Sequence, residues 1–524
     1  MTPDKTSDQP PDQPQSRGTE LSHNDPNQPN SRETELSHNN PNQPNSRETE
    51  LSHDNPDQPP DQPNSRETEL SHNNPNRETE AEKAAAAYRS IMARAPENRI
   101  DPDTFRVEGS LDLLEPEQTG MRVIHIAGTN GKTSTARMVE SLVRAHGLRT
   151  GLFTSPHLAS PAERIQIDGQ PITDAAMLEA WDLVEAVVNL VDRDSEDLGE
   201  GRLSFFEVMW LLALVAFADA PVDVAVVEVG LGGRWDATNT IDSDVQVITP
   251  ISYDHADYLG HDLASIAGEK AGIIRRQAVI GRQRPEAEAV LKAAAGENQA
   301  KVCWLGQGLE VVGRELAVDG QVLHLQTPGG FYNDVYLPLH GRHQAENAAL
   351  AVAAVELLLA GELGVLGEEP MAEGLGQVTS PGRLEVVSTA PTVLVDAAHN
   401  HAAAEALAGA VTEAFAFDLI GLVGVLQGKD AEAILGALEP VVKHVVITAP
   451  SSDRALDPVE LAEIAVEVFG PDRVELEPQL DQALSRAIDL AAADSDGSPA
   501  PLATGVLATG SVVLAGQVRA LLGK

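Results

Sequence analysis

Gly128-Thr129-Asn130-Gly131-Lys132-Thr133 has the parts of a phosphate cradle. Glycines let backbone N–H groups approach and surround phosphate oxygens, and a helix starting just after them turns its positive end toward the same anion. Lys132 adds a point charge, and Thr133 offers a hydroxyl to phosphate or metal. The match to G-x-x-x-x-G-K-[ST] is imperfect, because Ile126 stands where the first glycine belongs. Further on, Val226-Val-Glu228-Val-Gly-Leu-Gly-Gly-Arg-Trp-Asp236-Ala-Thr-Asn239 sets a carboxylate near the end of an apolar run. A glutamate there is costly unless paired or bound to a cation. Mg2+ beside nucleotide phosphates takes one or two protein carboxylates and keeps waters; a structural salt bridge is the other reading of Glu228. Ser252-Tyr-Asp254-His255 closes the next apolar run, and on its residues alone the Asp-His pair reads as structural. Ile266-Ala-Gly-Glu-Lys270-Ala-Gly-Ile273 reads, again on its residues alone, as a helix with a surface lysine.

These residues need a frame. Arg122-Val-Ile-His-Ile-Ala127 is a short β-rich run directly before the glycines. Ala136, Met138, Val139, Leu142 and Val143 then fall at helical spacing, with Gly147 as a stop. Val222–Val229, Val245–Ile251, Thr392–Val395, Leu419–Val425, His444–Thr448 and Gly505–Ala508 read as buried strands. Ala345–Leu359, Ala402–Ala416 and Pro458–Phe469 read as helices between them. This alternation predicts α/β units with largely parallel sheets, whose active sites lie beyond the carboxyl ends of the strands. The expected fold is a P-loop-type nucleotide-binding domain with a mostly parallel sheet over 81–378. A smaller C-terminal α/β, Rossmann-like domain is expected over 379–524.

Residues 1–80 differ. They hold five hydrophobic residues (Met1, Leu21, Leu36, Leu51, Leu70) and repeat a Ser-Arg-x-Thr-Glu-Leu-Ser-His unit at Ser16, Ser31, Ser46 and Ser65. One leucine per unit cannot offset the entropy of ordering about 15 residues, so the segment is expected to be disordered. Its spaced histidines (His23, His38, His53, His72) read as duplicated linker rather than as a metal site. The whole chain has 37 basic and 80 acidic residues, a formal charge of −43. That argues against a nucleic-acid surface and against attraction to anionic lipid. The longest apolar run, Val208–Ala218, is eleven residues, short of the ~20 that span a bilayer. The single cysteine, Cys303, excludes a disulfide framework and reads as a packed residue. With no secretory h-region, a cytoplasmic protein is expected.

His125-Ile-Ala-Gly-Thr-Asn-Gly-Lys-Thr-Ser134 resembles the ATP loop of the Mur ligase superfamily, and more narrowly that of the folylpolyglutamate synthase/dihydrofolate synthase family. That family's loop also lacks the first glycine. The likeness runs from about Tyr88 to Leu522. It implies ATP contacts from Gly128, Thr129, Asn130, Gly131, Lys132, Thr133 and Ser134. It makes Glu228 and His255 magnesium ligands, with Asp254 at best behind them. Thr154-Ser-Pro-His157 resembles the family's loop beside the folate pocket, so Thr154, Ser155, Pro156 and His157 are implied at the substrate, with the Ser155 hydroxyl on the metal. Arg164 lies in a matching Glu-Arg-Ile segment. The superfamily often carbamylates the lysine at the position of Lys270, which gives a carboxylate for a second Mg2+.

In the C-terminal part, Gly341-Arg-His-Gln-Ala-Glu-Asn347 resembles the adenine-side segment, placing Asn347 near the base. Arg383 matches an arginine that reaches back to the ATP phosphates. Val395-Asp396-Ala-Ala-His399-Asn400 resembles an Asp-x-Ala-His-Asn-Pro motif, which implies Asp396 and His399 at the nucleotide and the interdomain cleft, with His401 in place of proline. Leu426-Gln-Gly428-Lys429-Asp430 departs from Leu-x-Asp-Lys-Asp, and Thr509-Gly-Ser511 matches a motif bordering the amino-acid site. The implied chemistry is carboxylate activation: ATP phosphorylates an acceptor carboxylate, the α-amine of L-glutamate attacks the acyl phosphate, and phosphate leaves. Lys132, His255, Lys270 and Arg383 are the implied catalytic set. Two Mg2+ ions, ATP, L-glutamate and a pterin-type acceptor are the implied ligands of a monomer that binds neither nucleic acid nor membrane. Competing readings are a ligase acting on a UDP-muramoyl acceptor, a P-loop ATPase or kinase, and a non-catalytic nucleotide binder.

Overall fold

The computed structural model describes residues 80–95, 103–115, 120–360, 365–494 and 504–524. The repeats and their histidines lie outside the described residues, so the expectation of disorder over 1–80 has no counterpart here. The described residues belong to one compact unit.

Among the described residues, strands form two sheets. The larger has eleven strands, and Arg122–Ala127 lies near its centre. Val224–Glu228 and Val245–Ile248 flank that strand, both parallel to it. Thr150–Phe153, Gln277–Ile280 and Lys301–Leu305 continue the parallel array on either side. Both edges turn antiparallel. Ile165–Ile167 and Gln170–Pro171 close one edge, and the meander Gly308–Ala317, Gly320–Gln326, Phe331–Leu337 closes the other. The smaller sheet has six strands. Thr392–Val395, Gly505–Thr509, Leu419–Val423, His444–Ile447 and Val474–Leu476 run parallel, and Glu385–Thr389 is an antiparallel edge. The expected mixture of a large, mostly parallel sheet and a smaller α/β domain is therefore present.

Register explains the missing first glycine. Ile126 pairs with Glu228 inside the sheet and is fully buried. The strand thus continues through the position where a longer loop would begin to turn. Helix Lys132–Ala145 starts directly after Gly131 and packs its apolar stripe against helix Arg342–Ala360 and helix Glu368–Gly376. Gly374 permits the second contact, since a Cβ there would stand 2.8 Å from the Leu142 Cα. The apolar run Val208–Ala218 lies in helix Phe205–Asp219. It is buried on nearly all sides, with Phe153 against Trp210 and Phe206, as an all-round hydrophobic helix must be. Among the described residues, no helix is long and apolar enough to cross a membrane. Cys303 sits half-buried in strand Lys301–Leu305, against the core.

Candidate active site

A cleft of about 790 Å3 opens beyond the carboxyl ends of the central strands, between the two sheets. Its floor is the phosphate loop. Gly128 and Gly131 have φ of 148° and 88°. Each also faces a wall: a Cβ would stand 1.8 Å from the Thr249 Oγ1 at Gly128 and 2.6 Å from the Asn347 Oδ1 at Gly131. The Thr129 and Asn130 N–H groups both donate to the Pro250 carbonyl, at 3.1 and 3.3 Å. The Thr129 hydroxyl bridges to Ser252, accepting its N–H and donating to its carbonyl, each at 3.1 Å. The loop is thus pinned to the next strand's end before any ligand arrives. Lys132 Nζ donates only a long bond, 3.4 Å, to the Thr129 carbonyl.

Glu228 ends its strand beside this loop. It accepts the Thr133 hydroxyl at 3.0 Å and the Ser155 N–H at 3.2 Å. Burial pushes its pKa up, against the pull of the Lys132 charge and those two hydrogen bonds. A buried carboxylate beside the Thr133 hydroxyl, in a cleft that Ser155 also lines, is a donor set that suits a hard cation bound together with phosphate oxygens. Among the described residues, no three His, Cys, Asp or Glu side chains converge as a metal site on their own, so an ion here would draw further ligands from substrate and water. Lys270 is not a surface lysine. It is 4% exposed and donates to the Gly128 carbonyl at 2.8 Å. Burial first, and then the neighbouring Lys132 charge, push its pKa down to about 7.

His255 lies in the left-handed region at φ 52°, a conformation that costs a non-glycine residue on the order of 1–3 kcal/mol. Its N–H is held by the Asp254 Oδ1 at 2.8 Å. Burial lowers the His255 pKa to about 3, although Asp254 opposes the shift, so the ring is neutral and able to ligate. Asp254 is buried too, which works against its charge. His399, His255 and Lys429 outweigh that and hold its carboxyl well below the usual carboxylate range.

The smaller domain supplies the other wall with Arg383, Asp396, His399 and Ser511. Asp396 accepts the Leu384 N–H at 2.8 Å and the Ala398 N–H at 2.7 Å, fixing the turns that carry Arg383 and His399. Ser511 caps helix Val512–Leu521 by accepting the Leu514 N–H. The substitution of His401 for proline leaves that turn intact: Asn400 caps helix His401–Ala414 through the Ala403 N–H, and His401 takes the first helical position, where a missing N–H would have been harmless. Asn347 and Ser134 meet through Gln344, whose amide donates to the Ser134 hydroxyl at 3.3 Å and accepts from Asn347 at 3.1 Å.

Ser155, Pro156, His157 and Arg164 line the cleft as well. Arg164 Nε donates to His157 Nδ1 at 2.9 Å, and its guanidinium lies 4.8 Å from the Phe205 ring centre. Thr154 does not line it. Thr154 is buried behind the loop, where its N–H donates to the Arg164 carbonyl at 2.9 Å, so it shapes the loop rather than facing substrate. The cleft also takes in residues that the sequence did not single out. Arg106 reaches Glu207 at 3.2 Å, beside Phe206 and the 46%-exposed Trp235. Glu207 closes a capping box with Ser204. That Ser-Phe-Phe-Glu signature, at the mouth of a helix whose only other charged residue is its last, Asp219, was the available signal.

The chain matches the Mur ligase middle domain over residues 126–355 and the Mur ligase glutamate ligase domain over 382–511. It is 52% identical over 448 residues to the dihydrofolate synthase/folylpolyglutamate synthase of Mycobacterium tuberculosis, covering 82% of this chain and 92% of the relative. It is 34% identical over 370 residues to the enzyme of the same name from Escherichia coli, covering 69% and 81%. The solved M. tuberculosis folylpolyglutamate synthase complexed with ADP superposes with a TM-score of 0.81 at 49% identity, over 85% of this chain and 99% of that one. E. coli FolC in complex with DHPP and ADP superposes with a TM-score of 0.71 at 29% identity, over 85% and 99%.

Proposed function

The chain belongs to the dihydrofolate synthase/folylpolyglutamate synthase family of Mur ligases, and from that premise we propose that it is an ATP-dependent ligase adding L-glutamate to folate-type carboxylates. The acceptors are dihydropteroate, giving dihydrofolate, and tetrahydrofolate, giving its polyglutamates. One observation carries the reading. A single cleft combines a phosphate loop with Lys132, a buried carboxylate at Glu228, and the Arg383, His399 and Ser511 wall of a second domain. The relatives reported above bear folate-synthase names, which favours a folate over a UDP-muramoyl acceptor.

The protein's part is positioning and charge neutralisation. The loop amides of residues 128–133, with Lys132, hold the triphosphate; Asn347 lies toward the base. Arg383 and Lys132 draw charge from the transferred phosphoryl group. Glu228, the Ser155 hydroxyl and His255 would hold Mg2+, and a carbamate on Lys270 a second ion; bound there, the metal supplies Lewis-acid neutralisation of phosphate charge. The neutral Lys270 amine is the form that adds CO2. Ser155, Pro156, His157 and Arg164 position the acceptor, and Ser511 the incoming glutamate. Closure between the two sheets keeps water from the acyl phosphate. No covalent enzyme intermediate is required. The larger domain corresponds to residues 81–378 and the smaller to 379–524, in a cytoplasmic monomer.

The test is a substrate panel. Purified protein with MgATP should release ADP in a glutamate-dependent way with dihydropteroate and with tetrahydrofolate. ADP release that ignores glutamate would point to a plain ATPase, and activity with only one acceptor would remove the bifunctional part.

A further inference from the structure

Resting on the ligase reading, we propose that Asp254, Asn400 and Lys429 form a docking joint that seats the smaller domain on the phosphate loop, with Lys429 a positioning residue that keeps ATP use coupled to amide formation. The Asp254 carboxylate stands on the larger domain, its side chain 6% exposed. Three side chains of the smaller domain converge on it. Lys429 Nζ pairs with Oδ1, His399 Nε2 lies 3.3 Å from Oδ2, and Asn400 Nδ2 donates to Oδ2 at 3.0 Å.

Asn400 extends the joint to the nucleotide side. Its amide and that of Asn130, in the phosphate loop, exchange two hydrogen bonds at 3.0 and 3.1 Å. Its Oδ1 also accepts the Ala403 N–H at 2.9 Å. Both donors and both acceptor sites of this amide are therefore used. One side chain ties the phosphate loop, the Asp254 loop and the start of helix His401–Ala414 together.

Position gives the joint its consequence. Asp396 and His399 precede Asn400 on the same turn, and the Gly510 N–H donates to the Ala398 carbonyl at 3.1 Å, bringing Ser511 alongside. The groups that the smaller domain lends to the cleft are thus fixed within a few residues of the joint. Removing one partner of a buried ion pair leaves the other charge uncompensated. Without Lys429, the Asp254 carboxylate keeps only His399 and Asn400 from the smaller domain, the docked geometry loosens, and water reaches the acyl phosphate. ADP has already left when the acyl phosphate forms; hydrolysis then releases phosphate and returns the free acceptor acid, so ATP is spent with no amide formed.

The experiment compares the full-length wild-type chain with Lys429→Gln, Lys429→Arg, Asp254→Asn and the Gln/Asn double variant. Amide product and ADP are both quantified, with nucleotide affinity and thermal melting as controls on folding. Wild-type protein should release one ADP per amide. Lys429→Gln should release at least about twice as much ADP per amide as water gains access, with a glutamate KM raised roughly tenfold. Lys429→Arg should restore the ratio. The double variant should be no worse than the worse single, because the two residues act as one contact. A merely structural role lowers activity at an unchanged ratio, and that result overturns the proposal. So do fully additive single effects, which would mean that Lys429 acts on substrate apart from Asp254. Should Lys429→Gln fail to bind nucleotide, Asp254→Asn carries the same ratio test. A wild-type chain that forms no glutamate-dependent amide overturns the ligase reading instead, a result separate from any behaviour of the variants.

Discussion

Lys270 donates to the Gly128 carbonyl at 2.8 Å, so a buried amine ends on the backbone of the phosphate loop. Its side chain runs in from helix Leu263–Ala271, and burial together with the Lys132 charge pushes its pKa down to about 7. An amine reacts with CO2 only when neutral. For Lys270 the neutral form gains population as pH rises through about 7, where an ordinary lysine would stay charged until about 10.4. At a fixed concentration of dissolved 13C-labelled CO2, the protein should give a carbamate NMR signal near pH 8 that is at least about tenfold weaker near pH 5.5, following that titration. Lys270→Ala should lack it. A signal independent of pH, or one that survives in the alanine variant, would remove carbamylation from the site.

The two loop glycines predict a graded pair of defects. At Gly131 a Cβ would press on the Asn347 Oδ1 from 2.6 Å, in a backbone with φ 88°. Gly131→Ala should lose about 1–2 kcal/mol from the left-handed backbone alone and weaken nucleotide binding by displacing Asn347. At Gly128 the conflict is deeper, because the Thr249 backbone oxygen also stands 3.0 Å away and turning the threonine side chain does not relieve it. Gly128→Ala should therefore melt lower than Gly131→Ala. Thermal melts and nucleotide titrations of both variants decide the order.

What could be read from the sequence was what is local. The strand, glycine turn and helix around Lys132 are contiguous, so periodicity and turn chemistry announce them together, and Glu228 stood out as a charge closing an apolar strand. The antiparallel meander over 308–337 went unread because its first strand, Gly308–Ala317, shows no regular alternation of buried and exposed residues. The Asn130–Asn400 pair joins residues 270 apart, and Arg106 meets Glu207 across 101. No local pattern marks such pairs, because only the fold brings them together. Thr154 is the opposite case: the family's loop implied it at the substrate, whereas it is buried behind the loop and does not line the cleft.

Lys132 separates binding chemistry from fold. Its Nζ has a long bond to the Thr129 carbonyl, and its charge eases the buried Glu228 carboxylate while opposing the buried Lys270 ammonium, so its effects on the folded state offset one another. Lys132→Ala should leave the melting curve within the usual ±0.5 kcal/mol of a surface change. Glutamate-dependent ADP release should fall about 10²–10³-fold, as when one preorganised charge-stabilising donor is removed. Undiminished ligation would take the phosphate loop out of the mechanism.

Glu228 should show stability and function pulling apart. Burial raises its pKa, so the folded state holds the proton more tightly than the unfolded chain does. For an acid shifted in that direction, the stabilising contribution is present below the unfolded pKa of about 4.3 and is lost as pH rises through the folded value. Above that range the buried acid is therefore a cost to the metal-free protein. Glu228→Gln removes the charge and keeps the shape. Its amide oxygen can accept the Ser155 N–H while its NH2 donates to the Thr133 oxygen, so neither neighbour of the original carboxylate is orphaned. The metal-free variant should melt at the same temperature as wild type or higher, and the gap should close as pH falls toward the acid range. Ligation should drop by about 10² or more, and the stabilisation that MgATP gives the wild-type melt through mass action should shrink with it. Glu228 would be structural, and not the carboxylate that serves the cation, if the glutamine variant melted several degrees lower yet still made product at the wild-type rate.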